Sequence, residues 1–155
     1  MKIKIFALTH KKFEVPKDKM SQPLQVGREG KEDLGYLCDN TGDNISAENC
    51  YYSELTGLYW IWKNVHAYKY VGTCHYRRYL LNEQEKIFTE TEYLELLKDY
   101  DLITTKRVVL NNSYHYGFAT NHNIHALDMT GEVIKELYPE YYDTFVQLVN
   151  GTETY

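Results

Sequence analysis

An α/β fold, with a mixed, mostly parallel sheet flanked by helices, is what this sequence predicts, and three observations predict it. Apolar runs rich in β-branched residues at 3 to 8 (IKIFAL) and at about 70 to 76 (YVGTCHY) have the length of strands. Between them Leu55, Leu58, Tyr59 and Trp62 recur at steps of three and four, the period of a helix with one apolar face. A second pair follows, ETEYLELLKD at about 90 to 99 and DLITT at 101 to 105, so helix and strand alternate along the chain in the order that builds a parallel sheet.

The elements follow from local chemistry. The first strand opens into the polar Thr9, His10 and Lys11. From Lys12 to about Thr41 the chain is loop-like, punctuated by Pro16, Pro23, Gly27, Gly30 and Gly35, with PLQVG as a possible short strand. Ser46, after TGDNI, has the oxygen that caps a helix, and the periodicity carries that helix to about Asn64. Trp62 belongs to its apolar stripe and is expected in the core, with Trp60 at the edge. Beyond residue 106, KRVVLNNSYHYGFATNHN is a polar loop; the remainder is helical, with Pro139 placed to start a last helix that ends near Gly151.

At 155 residues the chain has the length of one domain, spanning 1–155, with a core of its own. Its 43% hydrophobic and 25% charged residues are those of a soluble globular protein, and no apolar run approaches the roughly 20 residues that cross a bilayer. MKIKIFALTHKKF is interrupted by Lys4 and lacks a small-residue cleavage site, so it is a first strand and not a signal peptide, and a cytoplasmic protein is expected. Cys38, Cys50 and Cys74 are too few and too scattered for a disulfide framework and suit reduced thiols. A net charge of −5 excludes a general nucleic-acid binder, which needs a basic surface to neutralise phosphates. Sixteen tyrosines suit both half-buried packing and stacking on sugars.

In an open α/β sheet ligands bind beyond the carboxyl ends of the strands. Three polar clusters follow the three expected strands: Thr9, His10 and Lys11; His75, Tyr76, Arg77 and Arg78; and Lys106 with Arg107. With parallel neighbours these would form a positive crevice on an acidic protein, suited to a small anion such as a diphosphate. Were the segment extended, His75 and Arg77 would share one face and Tyr76 and Arg78 the other, and guanidinium matches phosphate bidentately. The plainer alternative is that both arginines pair with surface carboxylates.

The stretch CDNTGDNIS, residues 38 to 46, sets carboxylates, amides and a glycine directly before a helix, where Asp39, Asp43 and Asn44 could meet sugar hydroxyls. The plainer reading is that Asp43 or Ser46 caps the helix. Neither a P-loop nor a G-x-G-x-x-G motif is present. His122 and His125 have helical spacing but no matching set of ligands, so no metal site is assigned.

DNTGDNIS, YSELTGLYWIWKN and YVGTCHYRRYL, in this order and after the opening THK, resemble bacterial capsular and exopolysaccharide biosynthesis proteins classed as domain of unknown function 4422, over about residues 3 to 110. The resemblance implies a Rossmann-like GT-A type nucleotide-diphospho-sugar transferase fold and transfer of a sugar from a nucleotide-diphosphate donor to a glycan or lipid-linked glycan acceptor. It carries over to Thr9, His10, Lys11, Asp39, Asp43, Asn44, His75, Tyr76, Arg77 and Arg78, which lie inside the matching motifs; the roles inferred for them here are catalysis by Asp43 and Arg77 and donor binding by the others. His75-x-Arg77 stands where many such enzymes carry a metal-holding Asp-x-Asp, so cationic side chains are expected to stabilise the leaving diphosphate without a required cofactor, a divalent metal being the alternative. The base is open among Asp39, Asp43 and Asp128. Compared with the family the chain looks short at its C-terminal end, and membrane association is expected to be peripheral at most. A noncatalytic nucleotide- or glycan-binding module using the Tyr-rich loop at 113 to 118, and single-strand nucleic-acid binding by HYRRY, are the rival readings.

Overall fold

β1 (Ile3–Thr9) sends its alternate side chains to two different layers, and this one strand organises the first half of the molecule. In the computed structural model, which describes residues 1–154, Phe6 and Leu8 face one layer while Ile3 and Ile5 face the other. β2 (Ser21–Gln25) pairs with β1 in parallel, and β3 (Leu37–Cys38) adds beyond β2. Pro23 is tolerated in β2 because of register. The Val26 amide donates to Thr9 O on β1, so the amide position of residue 23 falls on the side of β3, and β3 reaches only Leu24 and Gln25.

The helix expected from Ser46 to Asn64 is broken. Ser46–Glu48 form a single 3₁₀ turn, α1 (Asn49–Tyr52) follows, and Ser53 adopts φ 52° before α2 (Leu55–Asn64) begins. Ser46 caps neither piece, because its hydroxyl is turned inward to Asp39. The break also changes which face of α2 is buried. Thr56, Gly57, Trp60 and Ile61 lie against the sheet, while Leu55, Leu58 and Trp62 of the apolar stripe are exposed, Trp62 at 67% against 6% for Trp60. The expected roles of the two tryptophans are therefore exchanged. Two features decide it: Thr56 is tied to buried Asp39, and Gly57 lets the helix backbone come so close that a Cβ there would lie 2.5 Å from Val26 Cγ1. Trp60 completes the fit by donating its indole N–H to Thr41 O at 2.9 Å.

β4 (Tyr70–His75) returns to pair with β1 on the side away from β2, giving a four-stranded, wholly parallel sheet in the order β3-β2-β1-β4. α3 (Glu90–Leu96) covers the second face, with Tyr93 against Ile3 and Met20. Its start is fixed by a capping box in which Thr89 and Glu92 exchange hydrogen bonds. The α/β expectation of a parallel sheet flanked by helices thus holds.

The strand expected at residues 101 to 105 does not form. Ile103 packs against the Ile3–Met20–Tyr93 cluster while Asp101, Leu102, Thr104 and Thr105 are exposed, so the segment lacks the two buried faces of an inner parallel strand. Here the first compact unit, Met1–Ile103, ends and a second begins at Thr104. The second has an antiparallel pair, β5 (Val108–Val109) with β6 (Glu153–Thr154), and three helices: α4 (Tyr114–Asn121), α5 (Ile124–Leu137) and α6 (Tyr142–Asn150). The stretch read as a polar loop up to Asn123 therefore contains α4, capped by Ser113. Pro139 starts a 3₁₀ turn that leads into α6, and α6 ends at Asn150 with Gly151 as its cap residue.

Candidate functional site

The strand order locates a crevice before any side chain is considered. From β1 the chain moves outward through β2 to β3 and then crosses back to β4 on the other side of β1. β1 and β4 are parallel neighbours, so their carboxyl ends open together on one edge of the sheet, the edge at which open parallel sheets bind ligands. Thr9 and His75 are the last residues of these two strands.

Thr9 is buried and spends its hydroxyl locally, donating to Lys11 O at 2.6 Å and accepting from Lys11 N at 3.1 Å. This closes a turn that leaves His10 and Lys11 exposed at the edge. At the end of β4 the backbone turns as well, since the Arg78 amide donates to His75 O at 2.8 Å. The alternation of faces expected for His75 to Arg78 is thereby overturned: a turn replaces the extended segment. Tyr76, buried, becomes the hub of the crevice. Its ring lies 4.2 Å from that of His75 and 5.7 Å from those of His10 and Phe13, with Lys11 Nζ at 5.5 Å and Arg77 Cζ at 5.2 Å from its centre. The ring thus has two cations within cation–π reach, both on exposed residues.

Arg77 and Arg78 are both exposed, and among the described residues neither has a carboxylate within salt-bridge distance. The alternative that they are consumed by surface pairs does not apply. Arg107, from the third expected cluster, does pair, with Glu153 at 3.1 Å inside the second unit.

His75 is held at both nitrogens. Nδ1 accepts the Arg77 backbone N–H at 3.1 Å, which leaves the ring proton on Nε2, and Nε2 lies 3.5 Å from Glu54 Oε1. Burial lowers the imidazole's pKa first, Glu54 opposes this, and Arg77, Arg78 and His10 lower it further. The neutral ring is thus the form the site favours, so the positive charge here belongs to Lys11 and the arginines.

Asp39 is fully buried and all its acceptor capacity is directed inward. Its carboxylate accepts from the amides of Gly27 (2.8 Å) and Arg28 (3.1 Å) and from the hydroxyls of Ser46 (2.5 Å) and Thr56 (2.7 Å). Four donors satisfy a charge that would otherwise be costly to bury. Gly27 adopts φ +60°, and a Cβ there would lie 2.3 Å from Asn49 Cγ, so the loop closes over Asp39 only with glycine. Asp39 is an internal anchor with no face open to a ligand.

Asp43 and Asn44 are elsewhere. The Asp43 amide donates to Asn64 Oδ1, its carboxylate accepts from Tyr59 OH at 3.1 Å, and Lys63 Nζ is 3.9 Å away. These partners put Asp43 at the far end of α2, about 12 Å along the helix from Thr56 at 1.5 Å per residue. The Asn44 carboxamide is engaged with Ser46 N and Gly42 O. The sheet edge therefore assembles Thr9, His10, Lys11, His75, Tyr76, Arg77 and Arg78, while Asp39 lies sealed beneath a loop and Asp43 and Asn44 lie outside the cluster. Asp128, in the second unit, faces His115 at 3.8 Å. Sequence reasoning missed Phe13 and Glu54. A lone acid before a helix carries no distinguishing pattern, and Phe13 joins Tyr76 only through the turn that Thr9 closes.

A divalent metal is the group such folds would suggest, and the donor set was compared with its needs. No three carboxylate, imidazole or thiolate groups among the described residues come together to hold an ion. Asp39 is saturated, and the edge otherwise offers one carboxylate, Glu54, and one imidazole, His75, among cations, short of the several oxygen ligands a hard cation takes. The residues present do not fit a bound metal.

An open, parallel α/β sheet flanked by helices, with a cationic and aromatic cluster at the carboxyl ends of two neighbouring strands, is the architecture these residues define. The apo structure of WbbM, a bifunctional glycosyltransferase, matches 100% of this chain with a TM-score of 0.79 and 27% sequence identity. The chain spans 32% of the length of that protein. A family model described as Domain of unknown function (DUF4422) matches residues 4–155, and the chain belongs to that family. No curated protein matches.

Proposed function

We propose that this chain forms the donor-binding part of a glycosyltransferase, its two compact units acting as one domain over residues 1–155. It moves a sugar from a nucleotide-diphosphate donor to a glycan or lipid-linked acceptor in capsular, exopolysaccharide or lipopolysaccharide synthesis. The observation that carries this reading is the placing of Lys11 and Arg77 against the Tyr76 ring at the carboxyl ends of β1 and β4, with Arg78 next in the same turn and, among the described residues, no carboxylate within salt-bridge distance of either arginine. As the bond from the sugar's anomeric carbon to the diphosphate breaks, its electron pair stays on the phosphate oxygen. The guanidinium groups and Lys11 stabilise that charge in the transition state, as fixed donors do at sites of developing charge. His75, neutral, acts by holding the Arg77 backbone in its turn.

Reaction at the cytoplasmic face of a membrane fits the reading. Among the described residues no helix is long and apolar enough to cross one. The likeness to a bifunctional glycosyltransferase supports transfer as the activity. The test is a thermal-shift series with nucleoside diphosphates and nucleotide sugars, with and without chelator, since a ligand that binds only the folded state must stabilise it. A shift that persists in chelator and vanishes in the Arg77→Ala/Arg78→Ala variant is expected. A shift that needs added divalent ion would replace the cationic mechanism, and one indifferent to both arginines would remove the site.

A further inference from the structure

Glu54 enters the crevice through a backbone conformation that its neighbour would not adopt freely. Ser53, between α1 and α2, has φ 52° and ψ −128°, a region disfavoured for any residue with a Cβ. Two contacts hold it there: the Ser53 amide donates to Asn49 O at 2.8 Å, and its carbonyl accepts from Asn49 Nδ2 at 2.6 Å, the same carboxamide donating also to Thr56 Oγ1. Thr56 is itself locked to Asp39, and Asn49 packs its side chain against Gly27. The buried anchor thus imposes a kink, and the residue that follows the kink is Glu54. Its carboxylate remains 45% exposed while Oε1 comes to 3.5 Å from His75 Nε2.

Three other carboxylates of the first unit are engaged or placed elsewhere. Asp39 is sealed, Asp43 is at the far end of α2, and Asp18 is engaged by Met20 N, Ser21 N and Ser21 Oγ. Among the described residues Glu54 is the one that both touches the cluster and keeps an oxygen open to solvent. The His75 ring stands between it and the turn that carries the arginines, with Glu54 toward Nε2 and the Arg77 amide on Nδ1. Glu54 thus meets the same ring whose Nδ1 fixes the backbone of the turn that carries the arginines.

We propose that Glu54 is the general base of the transfer, removing the proton from the acceptor hydroxyl, so that the reaction inverts the anomeric centre. This rests on the transfer reading above. The acceptor oxygen forms its bond to the anomeric carbon as its proton passes to the Glu54 carboxylate. The bond from that carbon to the diphosphate breaks, and the electron pair departs on the diphosphate held by Arg77 and Arg78. His75 Nε2, 3.5 Å from Oε1, is the neighbour that positions the carboxylate.

The test compares the wild-type chain with Glu54→Gln and Glu54→Ala on a panel of UDP-, GDP- and dTDP-hexoses. Water and free hexoses serve as acceptors, and released nucleoside diphosphate is followed alongside calorimetric affinity for UDP, GDP and dTDP. Glu54→Gln should slow release by at least about 100-fold, the scale of a lost general base, while diphosphate affinity changes by less than about twofold. Added formate should restore part of the rate to Glu54→Ala and none to the wild type. A Glu54→Gln variant keeping more than about one-tenth of the rate overturns the assignment, as does affinity falling in parallel with rate, which would make Glu54 only a partner of His75. A wild type that binds a diphosphate yet releases none from any donor also overturns it and leaves the binding site standing. If no diphosphate binds the wild type, the transfer reading falls first and this inference with it.

Discussion

The Ser46 hydroxyl donates to Asp39 Oδ1 at 2.5 Å, and this one bond turns the apparent cap of a helix into part of a buried anchor. Asp39 collects the start of β2's following loop, the 3₁₀ turn and α2 into one network. Replacing Asp39 with Asn puts an amide donor where donors already converge, so a loss of about 3 kcal/mol of unfolding free energy is expected. Ser46→Ala, which removes one donor and leaves the carboxylate three, should cost about 1 kcal/mol. Urea unfolding followed by circular dichroism measures both; equal stability of Asp39→Asn and the wild type would show that the network is not cooperative.

The two tryptophans of α2 make a sharper contrast. Trp60 is buried edge-on to Phe6 and donates to Thr41, whereas Trp62 is exposed and lies under Lys63 Nζ at 3.9 Å. Trp60→Ala should therefore cost about 3–5 kcal/mol through the cavity and the lost hydrogen bond. Trp62→Ala should stay within about 0.5 kcal/mol. Denaturation midpoints in the reverse order would mean that α2 presents its other face to the sheet.

Arg77 and Arg78 carry no structural load, so their removal should separate binding from folding. Each alanine substitution is expected to weaken UDP or GDP binding by at least about tenfold, because a charge-assisted contact to phosphate contributes about 1.5–3 kcal/mol. The melting temperature should be unchanged. Affinity of the wild type should also fall as salt is raised, with a shallower slope in either variant. Lysine at Arg77 should recover only part of the affinity, since it lacks the two-pronged fork. Isothermal calorimetry at several salt concentrations reads all three.

For His75 the direction of the shift fixes the sign of a pH effect. Its folded pKa lies below the ordinary 6.5, with burial as the main cause. Folding thus favours the neutral ring: the contribution to stability is complete above 6.5 and is lost as pH falls through the lower, folded value. The groups facing the ring are Glu54, which opposes the shift, and Arg77, Arg78 and His10, which add to it. Nitrogen-15 NMR of the imidazole should show Nε2 protonated and a midpoint below 6.5. Glu54→Gln should move the midpoint lower still and Arg77→Ala should move it up; a midpoint above 6.5 in the wild type would refute the direction of the shift, and a neutral ring protonated at Nδ1 would refute the assigned tautomer.

Much of the edge cluster was legible in the sequence because it needs only local facts. Strand β1 ends at Thr9 and β4 at His75, and the residues that follow a strand in a parallel sheet reach its ligand edge whatever the rest of the chain does. The strand at 101 to 105 was misread because an apolar run of that length fits both a strand and a segment lying over a cluster, and periodicity alone does not separate them.

By itself, then, the sequence determined the α/β class, strands β1 and β4, helical structure between them and the basic residues at their ends. These depend on apolar spacing and on which residues tolerate water. Tertiary structure alone decided which face of α2 is buried, that Asp39 anchors rather than binds, that Asp43 lies away from the arginines, and that Glu54 meets His75. Each of those outcomes depends on partners brought together across a dozen or more residues of chain, where hydrogen-bond satisfaction inside the core outweighs the local preference of a cap or an apolar stripe.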